Sequence, residues 1–325
     1  MCTAFTLRAG GALYFGRNMD LTCHFGESVV VTPAAFSFPA SGGEPFTTRH
    51  AMIGMANVTD GCPLYAEAVS ETGLCMAALN FPGNAVYLPP QRAAGRRAAP
   101  YELIPLVLGS CENLAQARAL LERVELVAVP FRPRLPLAPL HFLLADSSGA
   151  LVAEQTGEGM RLYPNPYGVL TNNPPFPFHA ENVRQYLALS PGQPESILWD
   201  DPPLTPFSQG MGAMGLPGDF SSPSRFVKTL FCKRNSLCPG DELSCVSQVF
   251  HILDSVAMVR GSVRTAEGES DLTTYSCCVN ATTGSYYYKT YDNSALTRVD
   301  LTKERRRAPG LTVFPLVTGQ FVRAL

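Results

Sequence analysis

The sequence predicts an α+β protein in which antiparallel sheets carry helices on their outer faces. Three observations lead there. Strand-like runs dominate the first third of the chain and its end, helical periodicity is confined to the middle, and short Gly-containing turns join successive strands as hairpins. The regular β-α-β alternation of a parallel sheet is absent. With 325 residues, 46% of them hydrophobic and 16% charged, the chain can bury a large core. No domain boundary is visible, so residues 1–325 read as a single domain.

Strands are expected at 2–9 and 12–17, flanking the two-residue turn Gly10-Gly11. Further strands follow at 28–32, 51–57, 64–70 and 74–80, the last two joined by Glu71-Thr72-Gly73. Helices are expected at 100–109 and 112–124, where Leu114, Ala117, Leu120, Leu121 and Val124 share a face. A Pro-rich loop at 128–139 leads to strands at 140–145 and 150–155 around Ser147-Ser148-Gly149. Residues 180–189 read as helix and 190–222 as a long loop. Two more helices, 224–235 and 241–257, follow. The second places Leu243, Val246, Phe250, Leu253 and Val256 on one stripe. Strands at 273–279, 284–291 and 295–301 close the chain.

The charge pattern narrows the function. A net charge of −2 gives no reason to expect nucleic acid or an anionic membrane surface as partner. No apolar run is long enough to span a bilayer, and the first ten residues hold no secretory signal. The ten cysteines are therefore read as reduced thiols of a cytoplasmic protein. They show no C-x-x-C spacing, and the five histidines no H-x-x-x-H, so no metal site is expected. His179-Ala180-Glu181 matches half of a zinc deaminase signature whose other half is missing, and reads as a helix-face histidine. Gly210-Met211-Gly212-Ala213-Met214-Gly215 fits a dinucleotide motif, but no strand precedes it and Pro217-Gly218 follows where a helix should start.

Cys2 is the candidate nucleophile; on position alone a start-site accident or a small buried hydrophobe is the default reading, and its neighbours must change it. Removal of Met1 would leave it with a thiol nucleophile and a free α-amine on one carbon, a nucleophile with its own base. With a two-residue turn at Gly10-Gly11, paired numbers sum to 21, and Cys2 faces Met19 with Arg17 as a same-face diagonal neighbour. A turn one residue longer or shorter moves the partner to Asp20 or Asn18. Every register delivers Cys2 to the segment 17–20. A guanidinium there favours thiolate, and a carboxylate orients the amine. Asn80, Asn172-Asn173 and Arg225 punctuate the ends of apolar segments. Turn and cap duty is the default for such residues, and oxyanion stabilisation the functional alternative. The loop 127–137 is unusually apolar, fitting buried packing, an oligomer contact or a pocket wall. A papain-like peptidase is disfavoured because no histidine stands beside Cys2 by local motif.

Seven pieces in order resemble the choloylglycine hydrolase family of N-terminal nucleophile hydrolases, which includes bile salt hydrolases and penicillin V acylases. They are Met1-Cys2-Thr3, Gly16-Arg17-Asn18-Met19-Asp20, Leu79-Asn80-Phe81-Pro82, Leu170-Thr171-Asn172-Asn173-Pro174, Gly215-Leu216-Pro217-Gly218-Asp219-Phe220, Ser224-Arg225-Phe226 and Val256-Ala257-Met258-Val259-Arg260-Gly261-Ser262. The resemblance implies a four-layer αββα fold, two stacked antiparallel sheets between helical layers. It implies hydrolysis of an amide joining an apolar acyl group to a small amine, in a bacterial cytoplasmic enzyme without metal or organic cofactor, commonly a homotetramer. By motif, Cys2 is the nucleophile, Arg17 and Asp20 flank it, Asn80 and Asn172 form the oxyanion site, and Arg225 supports it. The implied substrate pocket draws on Met19, Phe25, Ala66, Val129, Phe131 and Leu137. Asn80, where penicillin V acylases resemble each other in having Tyr, leans towards conjugated bile salts as substrate. The Gly210-Met211-Gly212 loop leans towards taurine conjugates. Cys23, where some relatives carry an aromatic residue, alters the expected pocket shape.

Overall fold

The first chain reversal fixes where Cys2 sits. In the computed structural model, which describes residues 1–39, 42–133, 136–196 and 201–324, Gly10 and Gly11 have φ of 57° and 75°. Positive φ at both central positions is what a type I′ hairpin turn requires. The turn joins β1 (Cys2–Ala9) to β2 (Ala12–Leu21) in the register that sums to 21, with Cys2 opposite Met19 and Arg17 opposite Ala4.

Two antiparallel sheets grow from this and a second set of hairpins. The first sheet runs in the order Val169–Leu170, β1, β2, Ser270–Asn280, Ser285–Thr290, Asn293–Asp300, with Val263–Arg264 paired beside Ser270–Asn280. The second runs Gly159–Pro164, Gly149–Thr156, Leu140–Asp146, Cys75–Asn80, Cys62–Ser70, Met52–Thr59, Glu27–Thr32, Thr312–Pro315. Alternation along the second sheet sorts its side chains into two cores. Val29, Val31, Ile53, Cys75, Ala77 and Leu79 join the first sheet's Phe5, Phe15 and Met19. Val30, Met52, Met76 and Ala78 face the opposite way, onto α1 (Leu103–Ser110) and α2 (Leu114–Leu121). The far side of the first sheet is covered by α4 (Ser222–Arg234) and α5 (Glu242–Asp254), which follow the short α3 (Phe176–Asn182). The layers are therefore αββα, and β2 is buried at every position from Leu13 to Asp20. Gly16 is needed for this approach, because a Cβ there would lie 2.7 Å from Val249 Cγ1 of α5.

Several boundaries differ from the sequence reading. The second helix stops at Leu121 because Val124–Leu126 pairs in parallel with Arg96–Ala98, so strand pairing overrides helical periodicity. The helix expected at 180–189 starts earlier, after Pro175, and tightens into a 3₁₀ turn at Val183–Tyr186. The buried stripe of α5 begins at Cys245 and Val246; Leu243, in the first turn, is exposed. Residues 134–135 of the apolar loop and 197–200 of the long loop lie outside the described residues. Among the described residues no helix is long and apolar enough to cross a membrane.

Candidate active site

Cys2 is the first residue of β1 and is 2% exposed. It lines an apolar cavity of about 260 Å³. The Arg17 guanidinium meets it from β2, with Nη2 donating to Cys2 Sγ at 3.3 Å and to Met19 Sδ at 3.3 Å. This is the diagonal contact that the hairpin register allows. The other end of the guanidinium is fixed: Arg17 Nη1 donates to Ala66 O at 2.6 Å and to Glu67 Oε2 at 2.7 Å.

Glu67 is the hub behind the thiol and is fully buried. Besides Arg17 it accepts from Tyr275 Oη at 2.8 Å, Tyr286 Oη at 2.5 Å and, weakly, Cys277 Sγ at 3.5 Å. Both oxygens of the carboxylate are thus supplied with donors, the condition under which a buried ion pair is tolerated. Burial opposes the Arg17 charge. Tyr275, Cys2 and Glu67 outweigh it and hold the guanidinium above its ordinary pKa. The sequence reading missed Glu67. Its signal was a lone carboxylate inside the apolar run Leu64-Tyr65-Ala66-Glu67-Ala68-Val69.

The backbone side of Cys2 is held by Asn172 and Arg225. Cys2 N–H donates to Asn172 Oδ1 at 2.8 Å. Arg225, in the first turns of α4, donates through Nη1 to Cys2 O at 2.5 Å and Thr3 Oγ1 at 2.6 Å, and through Nη2 to Asn172 Oδ1 at 2.7 Å. Asn172 Nδ2 donates to Asn80 O at 2.7 Å, which ties the two sheets together at this point. Asn80 is one of the residues lining the cavity. Two buried histidines brace the segment from behind. His141 Nε2 lies 3.0 Å from Thr171 O and its Nδ1 3.0 Å from Glu154 Oε1, while His179 Nε2 lies 2.9 Å from Asn172 O. The His179 expected on a helix face is therefore a buried partner of the Asn172 backbone, and burial pushes its pKa down.

Asp20 stands on the opposite flank. Its Oδ1 accepts from Thr273 Oγ1 at 2.6 Å, but its buried Oδ2 has no hydrogen-bond partner and lies 4.0 Å from Arg225 Nη1. Burial holds the Asp20 carboxyl above the usual range, against the pull of Arg225 and the chain's amino terminus. The Met1 ammonium donates to Asp20 O at 2.5 Å and to Asp271 Oδ2 at 3.3 Å.

The cavity over the thiol is lined by Met19, Phe25, Ala66, Phe131 and Leu137, together with Leu21, Tyr65, Tyr101 and Leu140. Phe131 packs edge-on to Tyr101, centroids 5.4 Å apart. Val129 is not part of this lining. A three-residue turn, Val129 N–H to Val127 O at 2.9 Å, folds the chain ahead of Phe131. The Gly210-Met211-Gly212 segment holds a left-handed Gly210 followed by a single 3₁₀ turn at Met211–Ala213, with no strand before it among the described residues and no lining residue in the cavity. Cys23 is exposed and does not line the cavity either.

A thiol on a strand end, a guanidinium on its sulfur and amide groups at its backbone are the kinds of group that nucleophilic attack on a carbonyl needs. The chain matches the profile described as linear amide C-N hydrolases, choloylglycine hydrolase family, over residues 2–314, so the bond it cleaves is a linear amide C–N bond. The bile salt hydrolase/transferase of Lactiplantibacillus plantarum is 40% identical over 97% of both chains. That of Clostridium perfringens is 36% identical over 94% of this chain and 93% of its own. The crystal structure of the C2A mutant of a conjugated bile acid hydrolase from Clostridium perfringens superposes with a TM-score of 0.92 at 33% identity, covering 100% of both chains. A penicillin V acylase from Agrobacterium tumefaciens shares the fold, with a TM-score of 0.76 at 18% identity over 98% of this chain and 92% of its own. The chain belongs to the choloylglycine hydrolase family.

Proposed function

We propose that the protein hydrolyses the amide of taurine- or glycine-conjugated bile acids, with Cys2 as an N-terminal nucleophile once Met1 is removed. The observation that carries this is that Cys2 lines an apolar cavity with its Sγ 3.3 Å from a guanidinium anchored by a buried carboxylate. The relatives' activity with bile salts supports the substrate class.

Cutting the Met1–Cys2 bond turns the nitrogen that now donates to Asn172 Oδ1 into an α-amine. The thiolate attacks the substrate carbonyl carbon and forms a C–S bond. The negative oxygen is stabilised by the amides of Asn80 and Asn172. The C–N bond then breaks, and the α-ammonium gives its proton to the departing taurine or glycine nitrogen. A water, deprotonated by the same amine, attacks the thioester. The C–S bond breaks and free bile acid leaves. A second amine in place of water gives acyl transfer, which the hydrolase/transferase names of the relatives support as a side activity. Turnover of taurocholate, glycocholate and penicillin V, with the intact mass of the protein, tests the reading. Release of taurine or glycine from a protein lacking Met1 is expected. Binding of taurocholate without release, or cleavage of penicillin V alone, would overturn it.

Asp20 has the role of orienting the α-ammonium. Burial raises its pKa, and its Oδ2 accepts no hydrogen bond and has Arg225 Nη1 4.0 Å away, which leaves an acceptor available to an ammonium. Asp20→Asn preserves shape and removes that charge. Its kcat is expected to fall by about 100-fold or more with KM changed far less. An unchanged kcat in steady-state assays would remove Asp20 from the mechanism.

Phe131 forms one wall of the proposed steroid site. Phe131→Ala is expected to raise KM for conjugated bile salts roughly tenfold, the size expected for an aromatic contact of 1–2 kcal/mol. An unchanged KM would place the steroid elsewhere.

A further inference from the structure

A second cavity, of about 650 Å³, opens at the far end of β1. It is lined by Thr6 and Arg8 of β1, Asn165 and Gly168 of the preceding loop, and Lys233 and Arg234 at the end of α4. Thr6 stands four residues from Cys2, about 13 Å along the strand, so this is not the thiol's cavity.

Three cations therefore face one space, and no carboxylate lines it. Among the described residues none of Arg8, Lys233 or Arg234 forms a salt bridge. The Lys233 ammonium is largely enclosed and meets only neutral acceptors: Tyr167 O at 2.5 Å, Gly168 O at 3.4 Å and Thr6 Oγ1 at 3.3 Å. Those bonds satisfy its protons but not its charge. The site is also shaped around it, since Gly168 has φ 57° and a Cβ there would lie 2.6 Å from Lys233 Nζ. Arg8, a lining residue, makes one long bond, Nη2 to Asp146 O at 3.4 Å.

We propose that this cavity binds a small tetrahedral oxyanion of the phosphate or sulfate class, held by the Arg8 and Arg234 guanidinium groups over the Lys233 ammonium. An anion there supplies the counter-charge that the chain does not. Guanidinium forks match tetrahedral oxyanions, and their charge-assisted hydrogen bonds are the strong kind. The charge state of Lys233 is consistent with an unfilled demand: burial first, then Arg234 and Arg8, push its pKa down to about 8. The proposal stands independently of the substrate reading above.

The test is calorimetric titration and thermal melting of the whole protein with potassium phosphate at constant ionic strength, with sulfate and chloride as separate arms. Saturable phosphate binding with a melting-point rise of roughly 2 °C or more is expected, and no such rise with chloride. Arg8→Gln and Arg234→Gln, both at exposed positions, should each weaken phosphate binding about tenfold and leave the anion-free melting point near wild type. A rise that grows without saturating, as excluded salts produce, would overturn the site. So would equal phosphate affinity in wild type and both variants.

Discussion

Replacing Cys2 by alanine is expected to lower amide hydrolysis by roughly 10⁴-fold or more in kcat, because no other group can form the covalent intermediate. The fold should persist. The side chain is a small buried thiol, and the C2A crystal structure of the Clostridium perfringens relative has the same architecture with a TM-score of 0.92. The same result is expected for a Cys2 chain that keeps Met1. There the nitrogen is an amide, donating to Asn172 Oδ1, and has no lone pair available as a base. Steady-state assays with intact mass spectrometry check both. Substantial turnover by Cys2→Ala would remove the nucleophile, and turnover by a Met1-bearing chain would remove the amine mechanism while sparing the thiol.

Glu67→Gln is expected to destabilise the protein by about 3–5 kcal/mol, because it leaves Arg17 buried without its counter-charge. It should also lower kcat by about 100-fold, since Arg17 is no longer clamped beneath Cys2 Sγ. The double variant Glu67→Gln with Arg17→Met separates the two effects. It should recover much of the stability, because no unpaired buried charge remains, and recover none of the activity. Denaturant unfolding gives the first quantity and initial rates the second. A single variant with near-wild-type kcat would reduce Glu67 to a purely structural partner. The surrounding hydroxyls of Tyr275 and Tyr286 make the carboxylate's charge tolerable in this interior, and so belong to the same device.

Much of this architecture was legible before any coordinates. The Gly10-Gly11 turn confines the hairpin to neighbouring registers that all deliver Cys2 to residues 17–20, and the observed one puts Cys2 opposite Met19 with Arg17 beside it. The runs around Val29–Val31 and Cys75–Leu79 read as strands, and the structure then divides their alternate side chains between two cores. The Glu67 hub was illegible because its partners are far apart in sequence. Glu67 meets Tyr275 and Tyr286 across more than 200 residues. His141 and His179 reach the carbonyls of Thr171 and Asn172 from separate elements, and neither histidine stands in a local pattern that announces it. Val129, expected in the pocket, is not among the residues that line the cavity, and periodicity gives no guide to facing in a loop.

The sequence by itself determined the nucleophile candidate, its hairpin neighbours and the α+β layering, because turns and strand alternation are local and periodic. Only the tertiary structure decided what gives those groups their chemistry. Asn172 and Arg225 are brought to Cys2 by sheet pairing and helix packing, and the carboxylate of Glu67 comes from the opposite sheet. The physical reason is burial. A guanidinium, a carboxylate and a thiol can be held together in an apolar interior only when every element around them supplies its hydrogen bonds at once.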